Sequence, residues 1–436
     1  MNQGIKFKLF AMMFLEFFIW GAWLPLIFGY LPSLGFSEFQ QTLILNAFPV
    51  AAILGMVFSN QFADRTFAAE KFLAVSHLIG GLSMLALFWV RDFWPFFALM
   101  LVHCILYVPT ISITNSIAFA AMKNAQAEFG IVRIGGTIGW IAASWPTVFI
   151  LVDWDKVKTI LASPESKGWL DAVLQSGLTG DALQRATAWT YAVAGGASLL
   201  LAAFSLALPH TPPNKGAAGE GGQAWLKAAK LLANPFVLVL WLVTFIDSFV
   251  HNCYFSWTGR FLPTVGVPGN WIMPVMSIGQ IAEILTMAVL GVCLKKLGWR
   301  TTMVIGILGH AVRFGVFAFC GSPDFMWLIV LVNILHGICY AFFFATVYIF
   351  VDEHFPKDVR TSAQGLFNFM ILGIGSLAAN FAGPPLFGKF VTDQNADFRG
   401  LFLIPCGAAA LAAVLLALFF HPPKIEAKGS AASLPH

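Results

Sequence analysis

The chain has 436 residues, of which 58% are hydrophobic and only 11% are charged, whereas soluble proteins average about 25% charged residues. This composition excludes a soluble domain and predicts a multi-pass protein embedded in a lipid bilayer. The formal net charge of +4 is too small to indicate a nucleic-acid partner. The six cysteines lie in apolar segments without paired spacing, so they are interpreted as small buried side chains, and no metal or cofactor is predicted.

Apolar segments of near-bilayer length recur along the chain and predict an all-α membrane protein. They lie near 8–31, 42–62, 71–90, 93–122, 131–152 and 187–209 in the first half, and near 233–262, 270–294, 299–320, 324–351, 362–388 and 399–421 in the second. We therefore predict twelve transmembrane helices in two six-helix bundles, at residues 1–209 and 233–436. The interval 210–232 is rich in Gly and Pro and predicts a linker that ends in an amphipathic helix at 223–232.

Lys and Arg are more frequent on the side of the membrane that would hold both termini, so the positive-inside rule predicts cytoplasmic ends. The long loop on the opposite side, 153–186, carries weak helical patterns at 154–162 and 169–174. It is interpreted either as a small external cap or as a solvated loop. A shift of about 231 residues places Glu16 of the first span onto Asp247 of the seventh, as expected for two related halves with a site between them.

The stretch WIMPVMSIGQIAEILTMAVLGVCL (271–294) is long enough to span a bilayer, yet it places Gln280 and Glu283 near its middle. A charge at that depth costs about 2.5–3.5 kcal/mol on insertion scales and is rarely found there without a partner or a function. Ser277, Gln280 and Glu283 are three residues apart, which keeps them on one face of a helix. This face predicts one wall of a substrate pathway.

Two charges in the first half, Glu16 and Arg133, should lie at similar depths, and we expect them to pair or to share a polar network. A purely structural pair is the alternative. Thr137 and Trp140 follow Arg133 by four and seven residues and share its face, so the three could hold a polar ligand that has a flat part. Core packing is the alternative for Trp140.

The seventh and tenth spans add further polar residues. Asp247, His251 and Asn252 fall along one side of the seventh. In the tenth, His336 is of interest because imidazole titrates near neutral pH, although a helix histidine is more often hydrogen-bonded in the core. Arg313, in the ninth span, is expected to pair with a carboxylate or to reach a helix end. No polar cluster is expected at three other histidines inside apolar segments, His77, His103 and His310.

Enzyme motifs are lacking: the chain contains no HExxH, GxSxG or GxxxxGK[ST] string. Five strings instead resemble the nucleoside:proton symporters of the major facilitator superfamily, and the resemblance runs over nearly the whole chain. They are FLEFFIWGAWL (14–24), YVPTISITNSIAF (107–119), RIGGTIGW (133–140), SIGQIAE (277–283) and RTSAQGLF (360–367). FADR (62–65) is similar to the less specific loop motif of the superfamily.

The resemblance implies the twelve-helix major facilitator fold and a monomeric transporter of a bacterial inner membrane that imports nucleosides with protons by alternating access. It also implies a set of substrate-facing residues: Arg133, Thr137, Trp140, Asn252, Phe255, Gln280, Glu283, His336 and Tyr340. Where the family has an Asp in the tenth span, this chain has Ala341. That change leaves Glu283 as the chief candidate for proton coupling, helped by His336, with Glu16 and Asp247 as structural or network charges.

Two alternatives to nucleoside import follow from the residues. The replaced Asp leaves room for a sugar or another small polar metabolite as cargo on the same fold. A membrane scaffold or sensor that transports nothing would not need so many polar residues directed at the interior of the bundles.

Overall fold

Nearly all of the chain that can be described is helical. The computed structural model describes residues 2–55, 67–122, 125–213, 230–355, 357–392 and 396–421, with the backbone alone at 125–127 and 357–362. Within these ranges the only β pairing is two isolated bridges, Val152 with Gly177 and Val391 with Ala396. The predicted all-α fold class is therefore confirmed.

The helices of the first half follow the predicted segments closely. They are α1 (Gln3–Ser33), α2 (Glu38–Leu45), α3 (Ala47–Leu54), α4 (Ala69–Ala86), α5 (Phe93–Ala121), α6 (Ala125–Ala143), α7 (Trp145–Ile150), α8 (Trp154–Ala162), α9 (Trp169–Gln175) and α10 (Gly180–Ser205).

The second half is also helical, with two π-helical segments at Tyr340–Ala345 and Phe369–Ile374. Its α-helices are α11 (Pro235–Phe261), α12 (Ile272–Phe319), α13 (Met326–Val332), α14 (Ile334–Cys339), α15 (Thr346–His354), α16 (Lys357–Asn368), α17 (Gly375–Phe390) and α18 (Phe398–Phe419).

Helix α12 is two spans joined at a sharp bend. Its 48 residues would extend about 72 Å if straight, more than twice the ~30 Å hydrocarbon core of a bilayer. Gly298 breaks it with φ 74° and ψ 171°, a conformation that only glycine adopts readily. The two arms match the predicted segments 270–294 and 299–320. In the described residues eight helical stretches are long and apolar enough to cross a membrane, and the count of twelve stays a prediction.

The loop 153–186 forms a small helical cap. Helices α8 and α9 pack through Val157, Ala172 and Val173 against Val152, and they match the two weak helical patterns in the sequence. The cap is fixed to the second half by Asn270, whose Nδ2 donates to the carbonyls of Val148 (3.3 Å) and Val173 (3.2 Å). The cap interpretation is therefore the correct one of the two.

Two hydrophobic cores fill the molecule. One consists of residues between 9 and 208, and the other mainly of residues between 237 and 420, joined by Leu26, Leu151 and Leu183. Of the linker, residues 214–229 lie outside the described residues, as does most of the predicted amphipathic helix, while Leu231–Ala233 forms a 3₁₀ turn. The FADR motif at 62–65 and the side chains at 360–362 also lie outside them.

Close helix contacts bring the site residues into place. A Cβ added at Gly135 or Gly139 of α6 would overlap the carbonyl oxygen of Phe10 or Phe14 of α1. A Cβ at Gly337 of α14 would overlap the α12 backbone beside Glu283. Small residues thus let these helix backbones approach closely, as is usual in membrane proteins.

Candidate substrate-binding site

A cavity of about 260 Å³ lies between the two halves of the chain. All nine residues that the sequence nominated as substrate-facing line it: Arg133, Thr137, Trp140, Asn252, Phe255, Gln280, Glu283, His336 and Tyr340. Because these side chains come from α6, α11, α12, α14 and the first π-helical segment, the fold brings together residues that are more than two hundred positions apart in sequence.

On the first-half wall, α6 presents Arg133, Thr137 and Trp140. The guanidinium of Arg133 lies over the ring of Phe17, with its Cζ 4.1 Å from the ring centroid. Gly136 makes room for this arrangement, since a Cβ there would overlap both side chains. The charge of Arg133 acts electrostatically on the carboxylate of Glu283 from the opposite half. The cavity is therefore bounded by opposite charges on two helices that belong to different halves.

Aromatic rings form a continuous surface along the cavity. Trp20 stacks on Phe48 at 4.7 Å and meets Trp140 edge to face at 5.2 Å. Trp140 in turn lies 6.1 Å from the ring of Phe255. Sequence reasoning missed Trp20, because a tryptophan inside an apolar span carries no signal that separates a cavity-lining ring from a packed one. Such a surface suits a flat heterocycle.

The amides of Asn252 and Gln280 are oriented by neighbouring backbone and hydroxyl groups. Nδ2 of Asn252 donates to the carbonyl of Ser248 (2.8 Å) and to Oγ of Ser376 (3.0 Å), which leaves Oδ1 for a ligand. The amide orientation that satisfies Gln280 has its nitrogen donating to the carbonyls of Met276 and Ser277, at 3.1 and 3.3 Å. Both residues therefore present acceptor oxygens. The sequence did not predict that Ser248 and Ser376 would orient the Asn252 amide.

Both π-helical segments border the cavity, the first through Tyr340 and Phe344 and the second through Ile371 and Leu372. A π turn adds one residue to a helical turn and shifts the following side chains around the axis, and such turns are frequent at functional sites. They carry no distinct sequence signal, because both consist of ordinary apolar and aromatic residues.

His336 is hydrogen-bonded to Arg313, which does not line the cavity. Nη1 of Arg313 lies 2.7 Å from Nδ1 of His336, and Nη2 lies 2.9 Å from Nδ1 of His310. The His336 ring is stacked between Tyr254 (4.3 Å) and His251 (4.6 Å). Arg313 was expected to pair with a carboxylate or to reach a helix end. It is fully buried and its hydrogen-bond partners are imidazoles, while the carboxylate of Asp247 interacts with it only electrostatically.

Among the described residues Glu16 and Arg133 do not form the direct pair that was one of the two expected arrangements. Glu16 is fully buried, and its Oε2 lies 2.9 Å from Nε2 of His77 while its Oε1 accepts a hydrogen bond from Thr110 at 2.8 Å. Nδ1 of His77 lies 3.0 Å from Oγ of Ser198. The rotation of α1 turns Glu16 toward α4 and α5 and away from the cavity, so His77, set aside in the sequence, is its partner.

Asp247 occupies the corresponding place in the second half but lacks corresponding bonds. It is fully buried, and among the described residues neither carboxyl oxygen has a hydrogen-bond partner. Its nearest cationic candidate is Nε2 of His310, 3.7 Å from Oδ1, which is beyond hydrogen-bonding distance.

Comparison with known proteins agrees with this architecture. The profile of the family described as Nucleoside H+ symporter matches residues 3–162 and 168–425. YegT of Escherichia coli, a putative nucleoside transporter, is 32% identical over 95% of this chain and 93% of its own length. The xanthosine permease of the same organism is 26% identical over 97% of this chain and 98% of its own.

Among solved structures, that of the nucleoside transporter NupG has a TM-score of 0.78 with 23% identity, covering 96% of this chain and 99% of that chain. A D-xylose–proton symporter has a TM-score of 0.68 with 14% identity, covering 97% and 99%. At these identities the likeness to solved structures shows the fold alone, whereas the matching family and the curated relatives are transporters. With the profile matching nearly the entire sequence, the chain belongs to the nucleoside H+ symporter family of the major facilitator superfamily.

Proposed function

We propose that this protein imports nucleosides together with protons by alternating access, and that the cavity between its halves is the binding site. The family membership supports the class of cargo. The observation that carries the proposal is that all nine nominated residues line one cavity. Its volume of about 260 Å³ is near the lower end of the range for small-molecule sites, about 300–1,000 Å³, as suits a solute the size of a nucleoside.

The chemistry of the lining matches the two parts of a nucleoside. Trp140, Phe255 and Tyr340 are proposed to contact the flat base. The acceptor oxygens of Asn252 and Gln280 are proposed to bind ribose hydroxyls or base N–H groups. Arg133 and Thr137 add donors on the facing wall, where acceptor atoms of the base or sugar would lie.

Glu283 is the proposed proton-coupling group. It borders the cavity, lies opposite Arg133, and is the one carboxylate among the nine lining residues proposed here. A carboxyl held in apolar surroundings takes up a proton more readily than one in water. His336 is less suited to this role, because its Nδ1 accepts from Arg313 and would have to release it before taking a proton there.

The protein is a multi-pass protein of the bacterial inner membrane by its family and its apolar helices. Its finer organisation is proposed as twelve spans, bundles at 1–209 and 233–436 around a linker at 210–232, cytoplasmic termini, and a monomer. These proposals rest on the placement of Lys and Arg and on the two hydrophobic cores.

Uptake into liposomes tests the function. Purified protein should accumulate labelled uridine or adenosine when the outside is acidic. Glu283→Gln should weaken the response to pH while preserving nucleoside binding and counterflow. A Glu283→Gln variant that still concentrates nucleoside with full pH dependence would show that the proton site lies elsewhere.

A sugar or another polar metabolite is the second candidate cargo, favoured by Ala341 at the position where the resembling family has an Asp. A thermal-shift screen of nucleosides against sugars separates the two. Stabilisation by sugars alone would refute nucleoside import. Saturable counterflow of either solute would eliminate a scaffold or sensor.

A further inference from the structure

The second half buries a cluster of charged and titratable groups behind the cavity. The proposed transport function uses the nine lining residues and assigns no role to most of this cluster. The cluster contains Asp247 and His251 of α11, His310 and Arg313 of α12, and His336 of α14. Asp247, His310 and Arg313 are fully buried and His336 nearly so. Buried charges are costly, so such a set is normally either fully hydrogen-bonded or functional.

The hydrogen bonds of Arg313 fix the protonation of two imidazoles. An arginine side chain stays protonated and can only donate. It lies at hydrogen-bonding distance from Nδ1 of His310 and Nδ1 of His336, so both of these nitrogens are acceptors and carry no proton. Each ring, being neutral, therefore carries its proton on Nε2. Neither histidine can gain a second proton without losing Arg313.

Asp247 is the carboxylate of the cluster, and it can take up a proton without breaking a bond. Both of its oxygens lack a hydrogen-bond partner among the described residues, and the protonated Nε2 of His310 lies 3.7 Å from Oδ1. With Asp247 ionised, its charge balances that of Arg313. With Asp247 protonated, the cluster carries one net positive charge.

The surroundings of Asp247 contain few other titratable groups. Besides the cluster members, Tyr254 of α11 stacks on His336, and the thiol of Cys339 on α14 interacts electrostatically with both Asp247 and Arg313. Helices α17 and α18, which also pack on α11, contain no Asp, Glu or His. Among the described residues no metal-binding group of His, Cys, Asp or Glu was found, and the Arg313 cation would repel a metal ion.

Two members of the cluster also line the cavity. His336 and His251 both border it, with their rings stacked at 4.6 Å. His251 lies one helical turn from Asp247 on the same helix, and its buried Nδ1 has no hydrogen-bond partner in the described structure. His251 can therefore exchange protons with the cavity, and a ligand in the cavity would contact the His336 ring that is hydrogen-bonded to Arg313.

We propose that Asp247 is a second proton-binding site of this transporter, reached from the cavity through His251 and coupled to the substrate through His336 and Arg313. The inference rests on the proposed function and adds a site to it. A proton from the cavity adds to a carboxylate oxygen of Asp247, and the same proton leaves on the opposite side after the nucleoside has left. Arg313 keeps both imidazole bonds throughout. This site supplies a second titratable carboxyl in a chain that has Ala341 in the tenth span.

Accumulation driven by a proton gradient tests the proposal. In liposomes with the membrane potential held at zero, each proton that moves with the nucleoside raises the accumulation ratio about tenfold per pH unit. Asp247→Asn should therefore reach a ratio about tenfold lower than the wild-type protein at one unit of gradient. Asp247→Glu, which keeps a titratable carboxyl, should recover the wild-type ratio.

Glu16→Gln is the matched control, because it removes a buried carboxylate from the other half. It should lower thermal stability and leave the ratio unchanged. A wild-type ratio in Asp247→Asn overturns the second site, whereas absence of any pH-driven uptake by the wild-type protein overturns the proposed function instead.

If Asp247→Asn binds nucleoside but does not transport it, a measurement of binding against pH tests the second proton site. The slope of log Kd for uridine against pH, measured in detergent by thermal shift, should fall by about one proton per nucleoside relative to the wild-type protein. An unchanged slope, or an Asp247→Glu variant that behaves like Asp247→Asn, contradicts the proposal.

Discussion

Each half of the molecule buries a carboxylate on its first helix opposite a histidine on its third span, and the two pairs differ in how completely they are bonded. Glu16 and His77 are 2.9 Å apart, and Thr110 and Ser198 complete their bonds. Asp247 and His310 are 3.7 Å apart, and the carboxylate has no partner among the described residues. Asp is one methylene shorter than Glu, which contributes to the gap.

This difference in hydrogen bonding indicates that the Glu16–His77 pair is structural, whereas Asp247 can bind and release a proton. A fully bonded buried carboxylate holds its geometry, since any movement would break good hydrogen bonds. A buried carboxylate without bonds can change its charge at little cost in contacts. The first pair therefore fixes α1 against α4, while the second leaves a titratable group beside the cavity.

The largest expected effect is on stability. Glu16→Gln should lower the free energy of unfolding by about 3 kcal/mol, because it breaks a buried pair and leaves His77 uncompensated. Asp247→Asn should change it by no more than about 1 kcal/mol, since no hydrogen bond is lost. Thermal unfolding in detergent measures both, and equal losses would contradict the comparison.

A double-mutant cycle measures the pairs themselves. Combining Glu16→Gln with His77→Gln should give a coupling energy of about 2 kcal/mol, whereas Asp247→Asn with His310→Gln should give about 0.5 kcal/mol or less. The cycle removes contributions that the single substitutions share with other neighbours. A larger coupling in the second half would reverse the assignment of the two roles.

A single hydrogen bond should contribute less. The hydroxyl of Tyr107 donates to the backbone carbonyl of Glu16 at 2.6 Å, so Tyr107→Phe should cost about 1 kcal/mol of stability. It should leave the pH dependence of uptake unchanged, because Glu16 keeps its side-chain bonds. An altered pH profile in this variant would show that the Glu16 network also responds to protons.

The smallest effect is expected at a third carboxylate–histidine pair, Glu70 with His210, in which the histidine is exposed to solvent. Burial acts to raise the pKa of Glu70, but the Thr211 N–H (3.0 Å) and His210 (2.8 Å) outweigh it and hold this pKa below its usual value. A lowered pKa stabilises the fold above the ordinary value of 4.5 and the contribution is lost as the pH falls below it.

Because His210 is 67% exposed, solvent screening should keep this contribution below about 1 kcal/mol. Glu70→Gln should flatten the corresponding part of a plot of melting temperature against pH. A fall as large as that of Glu16→Gln would mean that burial does not set the strength of these pairs.

The cavity could be predicted from the sequence because its residues are polar side chains at helical spacing inside apolar segments. Gln280, Glu283 and Arg133 stand out for that reason, and the family resemblance supplied the rest. The partners of Glu16 and Arg313 could not be predicted in this way, since depth in the membrane does not determine how a helix is rotated about its axis. His77 and His310 were passed over because the carboxylates near them lie on other helices, where one-dimensional spacing gives no signal.

The docking of the cap by Asn270 has a consequence for the transport cycle. One side-chain nitrogen holds two carbonyls that belong to the opposite half of the protein, those of Val148 and Val173. Any rocking that parts the halves at this end must break both hydrogen bonds, so opening there carries the free-energy cost of both. The hydrogen bonds between Asn270 and the cap thereby stabilise the state in which the two halves are in contact at this end, and their strength helps to set how often that end opens.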